Sequence, residues 1–292
     1  TERLEGVETR LPSLSIDIRE DLPDTPMENP DAVAVVVGIR DYQNNQVPSV
    51  KYAEYDASIM RRYLTEVLGY SEENILPRNP NQPMTAGTFR TLIRRKLPAY
   101  VRDGSDIFVY FSGHGAPSTT SNPHAYLVPA DADPNFVSDD NAYRLTHFYE
   151  DIMRTAEEEK AGDVTVVLDA CFSGQSGSGE MLIREASPLT LTVESPILAK
   201  EGATAFTASA NDQVANWYGK KKHGMFTYFF LKGLKGGADL DENGTITVKE
   251  MQAYLLDEEN GVPYWSQRIH QREQTPQVQT RNQDRVLVRL DE

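Results

Sequence analysis

The side chains best suited to nucleophilic chemistry in this sequence are its one cysteine, Cys171, and a histidine bracketed by glycines, His114. A thiol cleaves a peptide bond only when a base or a helix N-terminus lowers its pKa and backbone N–H groups receive the oxyanion. Cys171 stands directly before Phe172-Ser173-Gly174, so its own N–H is free to turn into a small-residue loop. His114 lies between Gly113 and Gly115, where missing side chains let a substrate carbonyl approach the backbone, and the Gly115 N–H is the natural second oxyanion donor. Taken singly these features have plainer readings, since a lone cysteine is usually an inert small hydrophobe and glycines mark tight turns. Together they argue for chemistry, because each follows an apolar strand-like run, the histidine first and the cysteine 57 positions later. The chemistry such a pair could do is covalent catalysis, with Cys171 as the candidate nucleophile and His114 as the candidate base. No third residue is assigned, and His124, His147, His223 and His270 read as surface or packing residues.

Elements of regular structure must deliver these two residues to one place. AVAVVVGI (32–39), SDIFVYFSGHG (105–115), VTVVLDACFSG (164–174) and ATAFTASA (203–210) are apolar runs of the kind buried on both faces of a parallel sheet, and NILP (74–77) offers a shorter one. Helical spacing over Tyr52–Leu68, Thr85–Leu97, Thr146–Lys160, Gly224–Leu234 and Val248–Leu256 separates them, with Gly69 as a natural stop for the first. AYLVPAD (125–131) suggests a short hairpin element and Arg285–Leu290 a last edge strand. The alternation predicts an α/β fold with a mostly parallel central sheet and helices on both faces. The functional crevice of such a sheet lies beyond the carboxyl ends of its strands, where His114 and Cys171 fall. Residues 1–30, rich in acid and proline, read as an extended N-terminal arm with at most a short strand near Leu14–Ile18; 31–292 form the domain, with a long exposed loop over 175–202.

Composition limits what the domain can do. The 29 basic against 44 acidic residues give a net charge of −15, which argues against nucleic acid and is compatible with basic peptides or Ca²⁺. A single cysteine excludes an internal disulfide framework and multi-thiolate zinc. No apolar run approaches the roughly 18 residues of a membrane span. A soluble, cytoplasmic monomer is the expectation, although a chain beginning at Thr1 does not reveal its compartment.

YFSGHG (110–115) and DACFSG (169–174) resemble the two hallmark motifs of the caspase and metacaspase cysteine proteases, whose histidine precedes the cysteine by about 50 residues in the caspases. The similarity covers most of the chain. VAVVVGIRDY (33–42) resembles the family's opening strand, KYAEYDA (51–57) the start of its first helix, TAFTASANDQVANW (204–217) a later strand and QTPQ (274–277) its closing segment. The resemblance implies a caspase-hemoglobinase fold and endopeptidase activity through a Cys–His dyad that needs no cofactor for the chemical step.

Specificity follows from the same resemblance. Caspases that cut after Asp carry Gln two residues before the nucleophile; here that position is Asp169, which metacaspases place in the pocket floor, and Asp56 matches a second acidic pocket position. Two acids so placed favour Arg or Lys before the scissile bond. On its own terms Asp56 is equally a first-turn helix acid, and Asp169 a strand-end turn former. Asp212 is a third candidate, Ser112 helps line the pocket and Trp217 walls a neighbouring subsite. Arg184, Lys200 and Lys220–Lys222 are candidate sites of self-cleavage.

DLDENGTITVKE (239–250) matches a calcium-binding EF-hand loop, with Asp239, Asp241 and Asn243 at positions 1, 3 and 5, Gly244 at 6, Thr245 at 7 and Glu250 at 12. The match is single, whereas EF-hands usually pair, and the same residues make a good turn and helix cap. Asp139-Asp140 resembles the central pair of a different metacaspase calcium site, but Ser178 stands where another ligand is expected. Against an active protease stand two competing functions: a caspase-like pseudoenzyme acting as scaffold or adaptor, and a calcium-responsive binding module.

Overall fold

The computed structural model describes residues 17–117, 124–172, 196–210 and 213–291. Along the chain run β1 (Val33–Gly38), α1 (Ala53–Glu66), β2 (Ile75–Leu76), α2 (Ala86–Thr91), α3 (Leu97–Tyr100) and β3 (Ile107–Ser112). Then come β4 (Gly115–Pro117), β5 (Ala125–Leu127), β6 (Tyr143–Arg144), α4 (Leu145–Glu158), β7 (Val164–Asp169) and β8 (Ala203–Thr207). Last are β9 (Trp217–Tyr218), β10 (His223–Gly224), α5 (Met225–Lys232), β11 (Thr245–Thr247), α6 (Val248–Leu256), α7 (Val262–His270), β12 (Gln277–Thr280) and β13 (Val286–Arg289).

Six strands form the central sheet in the order β12-β8-β7-β3-β1-β2, all parallel except β12, which pairs antiparallel with β8. Period-two alternation divides each apolar run between two cores. Ala34 and Val36 of β1, Phe108 and Tyr110 of β3 and Val167 of β7 face a layer made by α1, α5, α6 and α7. Val33, Val35 and Val37, with Ile107, Val109 and Phe111 and with Val164, Val166 and Leu168, face α2, α3 and α4. Burial on both faces explains why these strands read as continuous hydrophobic runs.

Several elements differ from the sequence expectation. The helix expected over Thr85–Leu97 is two short helices joined by a π-helical turn over Leu92–Lys96, and α5 continues into a similar turn at Gly233–Gly237. Arg285–Leu290 does supply a strand, but β13 pairs with β11 rather than edging the main sheet; that edge is β12. AYLVPAD contributes the middle strand of a three-stranded antiparallel patch, β4-β5-β6. The expected loop over 175–202 lies mostly outside the described residues. Its end is not exposed loop: Pro196–Ala199 form a 3-10 turn whose Ile197 is fully buried. The described part of the N-terminal arm lies along α1, where Ile18 is buried, Tyr63 Oη donates to the Ile18 carbonyl (2.7 Å) and Thr25 Oγ1 to the Val67 carbonyl (2.6 Å).

The chain leaves β1 for β2 on one side and returns to β3 on the other. This reversal opens a crevice at the carboxyl ends of β1 and β3, and β7 adds its own end beside it.

Candidate active site

A small cleft, about 20 Å³ in volume, occupies this crevice. Its walls include Asp56, Ser112, His114, Asp169, Cys171 and Trp217, so one cavity collects residues that the sequence scatters over 162 positions. His114 leaves the end of β3 and is buried. Its backbone N–H donates to Tyr42 Oη (2.8 Å), and the Tyr42 ring lies 5.0 Å from the imidazole. The imidazole Nε2 lies 2.6 Å from the Pro48 carbonyl oxygen. A carbonyl only accepts, so the proton resides on Nε2 and the Nδ1 lone pair is left to take another. The Pro48 carbonyl therefore fills the place for which the sequence offered no third residue. A backbone oxygen carries no side-chain signal by which it could have been found.

Cys171 follows β7 and is buried. Its Sγ accepts the Ala215 N–H at 2.6 Å. Burial pushes the thiol up to about 12, against a smaller lowering by the Ala215 N–H, and burial pulls His114 down to about 4. Both shifts favour the neutral forms of thiol and imidazole.

The Gly115 N–H is not used in the β4–β5 ladder. Val128 N–H donates to the His114 carbonyl (2.9 Å), which makes Gly115–Leu127 a non-hydrogen-bonded pair of the β4–β5 ladder, its N–H turned away from β5. Glycine is required there, because a Cβ would lie 2.5 Å from the Cys171 carbonyl oxygen.

Asp56 and Asp169 meet in the same cleft. Asp56 projects from the first turns of α1 and is 1% exposed. Its Oδ2 accepts the Gly224 N–H (2.8 Å), and its Oδ1 lies 2.5 Å from His223 Nδ1. Asp169, the last residue of β7, accepts the Thr227 hydroxyl (2.5 Å) and N–H (3.3 Å). Gly224 lies between the two acids, and a Cβ there would collide with Asp169 Oδ2 and crowd Asp56. Burial raises Asp56 well above the carboxylate range; burial and then the Asp56 charge push Asp169 up to about 7. Among the described residues neither acid has a Lys or Arg within salt-bridge distance. Ser112 ends β3 in the cleft wall, and Trp217 packs edge-on against Tyr52 with ring centroids 6.0 Å apart.

His223 corrects the sequence reading. It is not a surface residue or inert packing but a 1% exposed partner of Asp56. Its position after three lysines in Lys220-Lys221-Lys222-His223 suggested exposure, and only the following glycine hinted at close packing. Asp212 lies outside the described residues, as do Ser178 and Arg184.

At the 239–250 loop the carboxylate oxygens of Asp239, Asp241 and Glu250 come within 4.8 Å of one another. Gly244, at φ +76°, makes the sharp turn. β11, holding Thr245 at position 7, pairs with β13 in place of a second loop. Glu250 already accepts from the Thr247 N–H (2.9 Å) and hydroxyl (2.8 Å) as a capping box of α6. The donor set suits a hard cation, and Glu250 serves at the same time as a cap of α6. Asp139 is taken by Arg144 (Nε to Oδ1, 2.8 Å).

A buried thiol and an imidazole in one cleft are the groups that cysteine peptidases use. The family profile described as the caspase domain matches residues 31–287, and the chain belongs to that family. A comparison with curated proteins finds no match. Among solved structures the chain is similar to caspase-1 of Spodoptera frugiperda, at 13% identity over 96% of this chain and 97% of that one, with a TM-score of 0.56. It is likewise similar to the pro-form of that caspase (13% identity, 96% and 97% covered, TM-score 0.54). A protein of Geobacter sulfurreducens matches at 15% identity over 86% of this chain and 93% of its own, with a TM-score of 0.54. At such identities the likeness is one of fold, and the sheet is that of the caspase-hemoglobinase arrangement.

Proposed function

We propose that this chain is an endopeptidase that cleaves after Arg or Lys. One observation carries the reading: two buried carboxylates, Asp56 and Asp169, share a cleft with Cys171 and His114 and have no cationic side chain against them among the described residues. Buried charge is costly unless paired, and a substrate guanidinium or ammonium is the pairing this pocket lacks. A planar guanidinium can reach both acids at once, which favours Arg over Lys.

In this reading the basic side chain enters between Asp56 and Asp169 and sets the following carbonyl beside Cys171. His114 Nδ1 takes the thiol proton as sulfur attacks. The Gly115 and Cys171 N–H groups receive the oxyanion, His114 returns its proton to the leaving amine, and a thioester remains. Water, deprotonated by the same nitrogen, attacks the thioester and releases the acid and the thiol. Ser112 and Trp217 belong to the binding walls.

The test is a panel of fluorogenic peptides ending in Arg, Lys or Asp, run on wild type and Cys171→Ala. Turnover of Arg and Lys peptides by wild type alone supports the reading; turnover of the Asp peptide alone overturns the pocket. Self-cleavage near Lys200 or Lys220–Lys222 belongs to the same proposal and requires wild-type chains to shorten while Cys171→Ala chains stay intact. We further propose Ca²⁺ as a ligand of the 239–250 loop, because three carboxylates converge there in EF-hand order. Calorimetry with Ca²⁺ should then show binding that Glu250→Gln weakens by at least about tenfold, and no binding by wild type rejects it.

A further inference from the structure

Against the two pocket acids runs the segment His223–Thr227, of which only Gly224 lines the cleft. It supplies every hydrogen-bond partner that Asp56 and Asp169 side chains have among the described residues: the His223 ring and Gly224 N–H on Asp56, and the Thr227 N–H and hydroxyl on Asp169. His223 itself is not part of the cleft wall. It reaches the site only through Asp56.

The protonation of the ring follows from its surroundings. Nε2 is buried with no hydrogen-bond partner among the described residues, so a proton there would be stranded. The aromatic rings of Tyr55 and Tyr228 lie 5.0 and 6.2 Å from the imidazole. Burial first, and then the positive charge of Arg19, hold the ring neutral, down to about 4, against a smaller opposite pull from Asp17. A neutral ring has one proton, and on Nδ1 it faces the Asp56 oxygen 2.5 Å away instead of an apolar wall. The ring therefore donates to Asp56 without bringing a charge. A lysine or arginine at this position would fill the pocket's own need for a cation, whereas an apolar residue would leave a buried carboxylate oxygen unpartnered.

We propose that His223 is a specificity-determining positioning residue, a neutral donor that fixes Asp56 from behind and leaves its carboxyl free to ionise against the basic side chain of the substrate. The inference rests on the reading of the cleft as an Arg/Lys pocket.

Three variants test it with an Arg-terminated fluorogenic peptide. An asparagine side chain offers an N–H near the place of Nδ1, a glutamine side chain offers one near Nε2, and leucine offers neither. His223→Leu should raise KM for the Arg peptide by about tenfold or more while kcat stays within about threefold, and His223→Asn should restore KM to within about threefold of wild type. His223→Gln should behave like His223→Leu. If His223→Leu does not fold, the Asn and Gln pair carries the same contrast. Calorimetry with agmatine on Cys171→Ala, alone and combined with each substitution, should show the same order of affinities. An unchanged KM in His223→Leu, a loss confined to kcat, or equal behaviour of the Asn and Gln variants would overturn the inference. If wild type cleaves Arg peptides and His223→Leu matches it, only this inference fails; if wild type cleaves no basic peptide, the reading of the pocket fails and takes the inference with it.

Discussion

On α4, Asp151 is 4% exposed and accepts hydrogen bonds from Arg94 Nε (2.6 Å), Tyr143 Oη (2.7 Å) and the Arg154 guanidinium. At the carboxyl end of β7, Asp169 is 7% exposed and its carboxyl group is bonded, among the described residues, only to Thr227, with Asp56 as its charged neighbour. Burial pushes both carboxyls up. At Asp151 the tyrosine and two arginines more than offset it and hold the group below the ordinary carboxylate range, whereas Asp169 rises to about 7. The fold completes one carboxylate with its own cations and gives the other only neutral donors. A buried acid finished by arginines is structural; acids without a cation among the described residues, in the cleft that holds Cys171, are suited to bind one.

Replacing each acid should separate these roles. The largest effect is expected for Asp169→Asn, which should lower kcat/KM for Arg peptides by about a thousandfold, because the site then rejects what it was built to pair. The same substitution should stabilise the empty protein above pH 7. A carboxyl whose folded pKa is raised binds more protons folded than unfolded, so stability falls as pH rises from about 4 to about 7, and Asn removes that loss. Thermal melts of the two proteins at pH 5 and pH 8 check this, and a variant less stable than wild type at pH 8 would contradict it. For the same reason KM for the Arg peptide should fall as pH rises through about 7 in wild type.

Asp151→Asn should do the reverse. It should cost about 2 kcal/mol of stability at neutral pH, read by urea denaturation, with little change in kcat/KM. The sign of the pH effect also inverts: a depressed carboxyl contributes stability above its unfolded pKa and loses it as pH falls through the folded value. A kinetic defect in Asp151→Asn as large as that of Asp169→Asn would erase the distinction.

Much of this contrast could be read from the sequence, but unevenly. β1, β3, β7 and β8 declared themselves because burial on both faces demands apolar residues at every position, and the ends of β3 and β7 then located His114 and Cys171. β12 escaped notice because Gln277–Thr280 forms an edge strand whose residues are half-buried or exposed. α7, short and opened by Pro263, gave too little periodicity to separate from loop. The π-helical turns are adjustments of packing with no residue signature. Asp56 was legible only through family resemblance, since as a first-turn acid it looks like any helix start. His223 and the Pro48 carbonyl were missed for opposite reasons: one had a side chain in a lysine-rich context that suggested solvent, and the other acts through backbone.

The most direct test of the account is covalent labelling with peptidyl chloromethyl ketones ending in Arg or Asp, followed by mass mapping of the adduct. A nucleophilic Cys171 beside an acidic pocket predicts a stoichiometric adduct on Cys171 with the Arg reagent, far slower labelling with the Asp reagent, and loss of the adduct in His114→Ala. Equal labelling by both reagents, or an unmodified Cys171 in wild type, would contradict it.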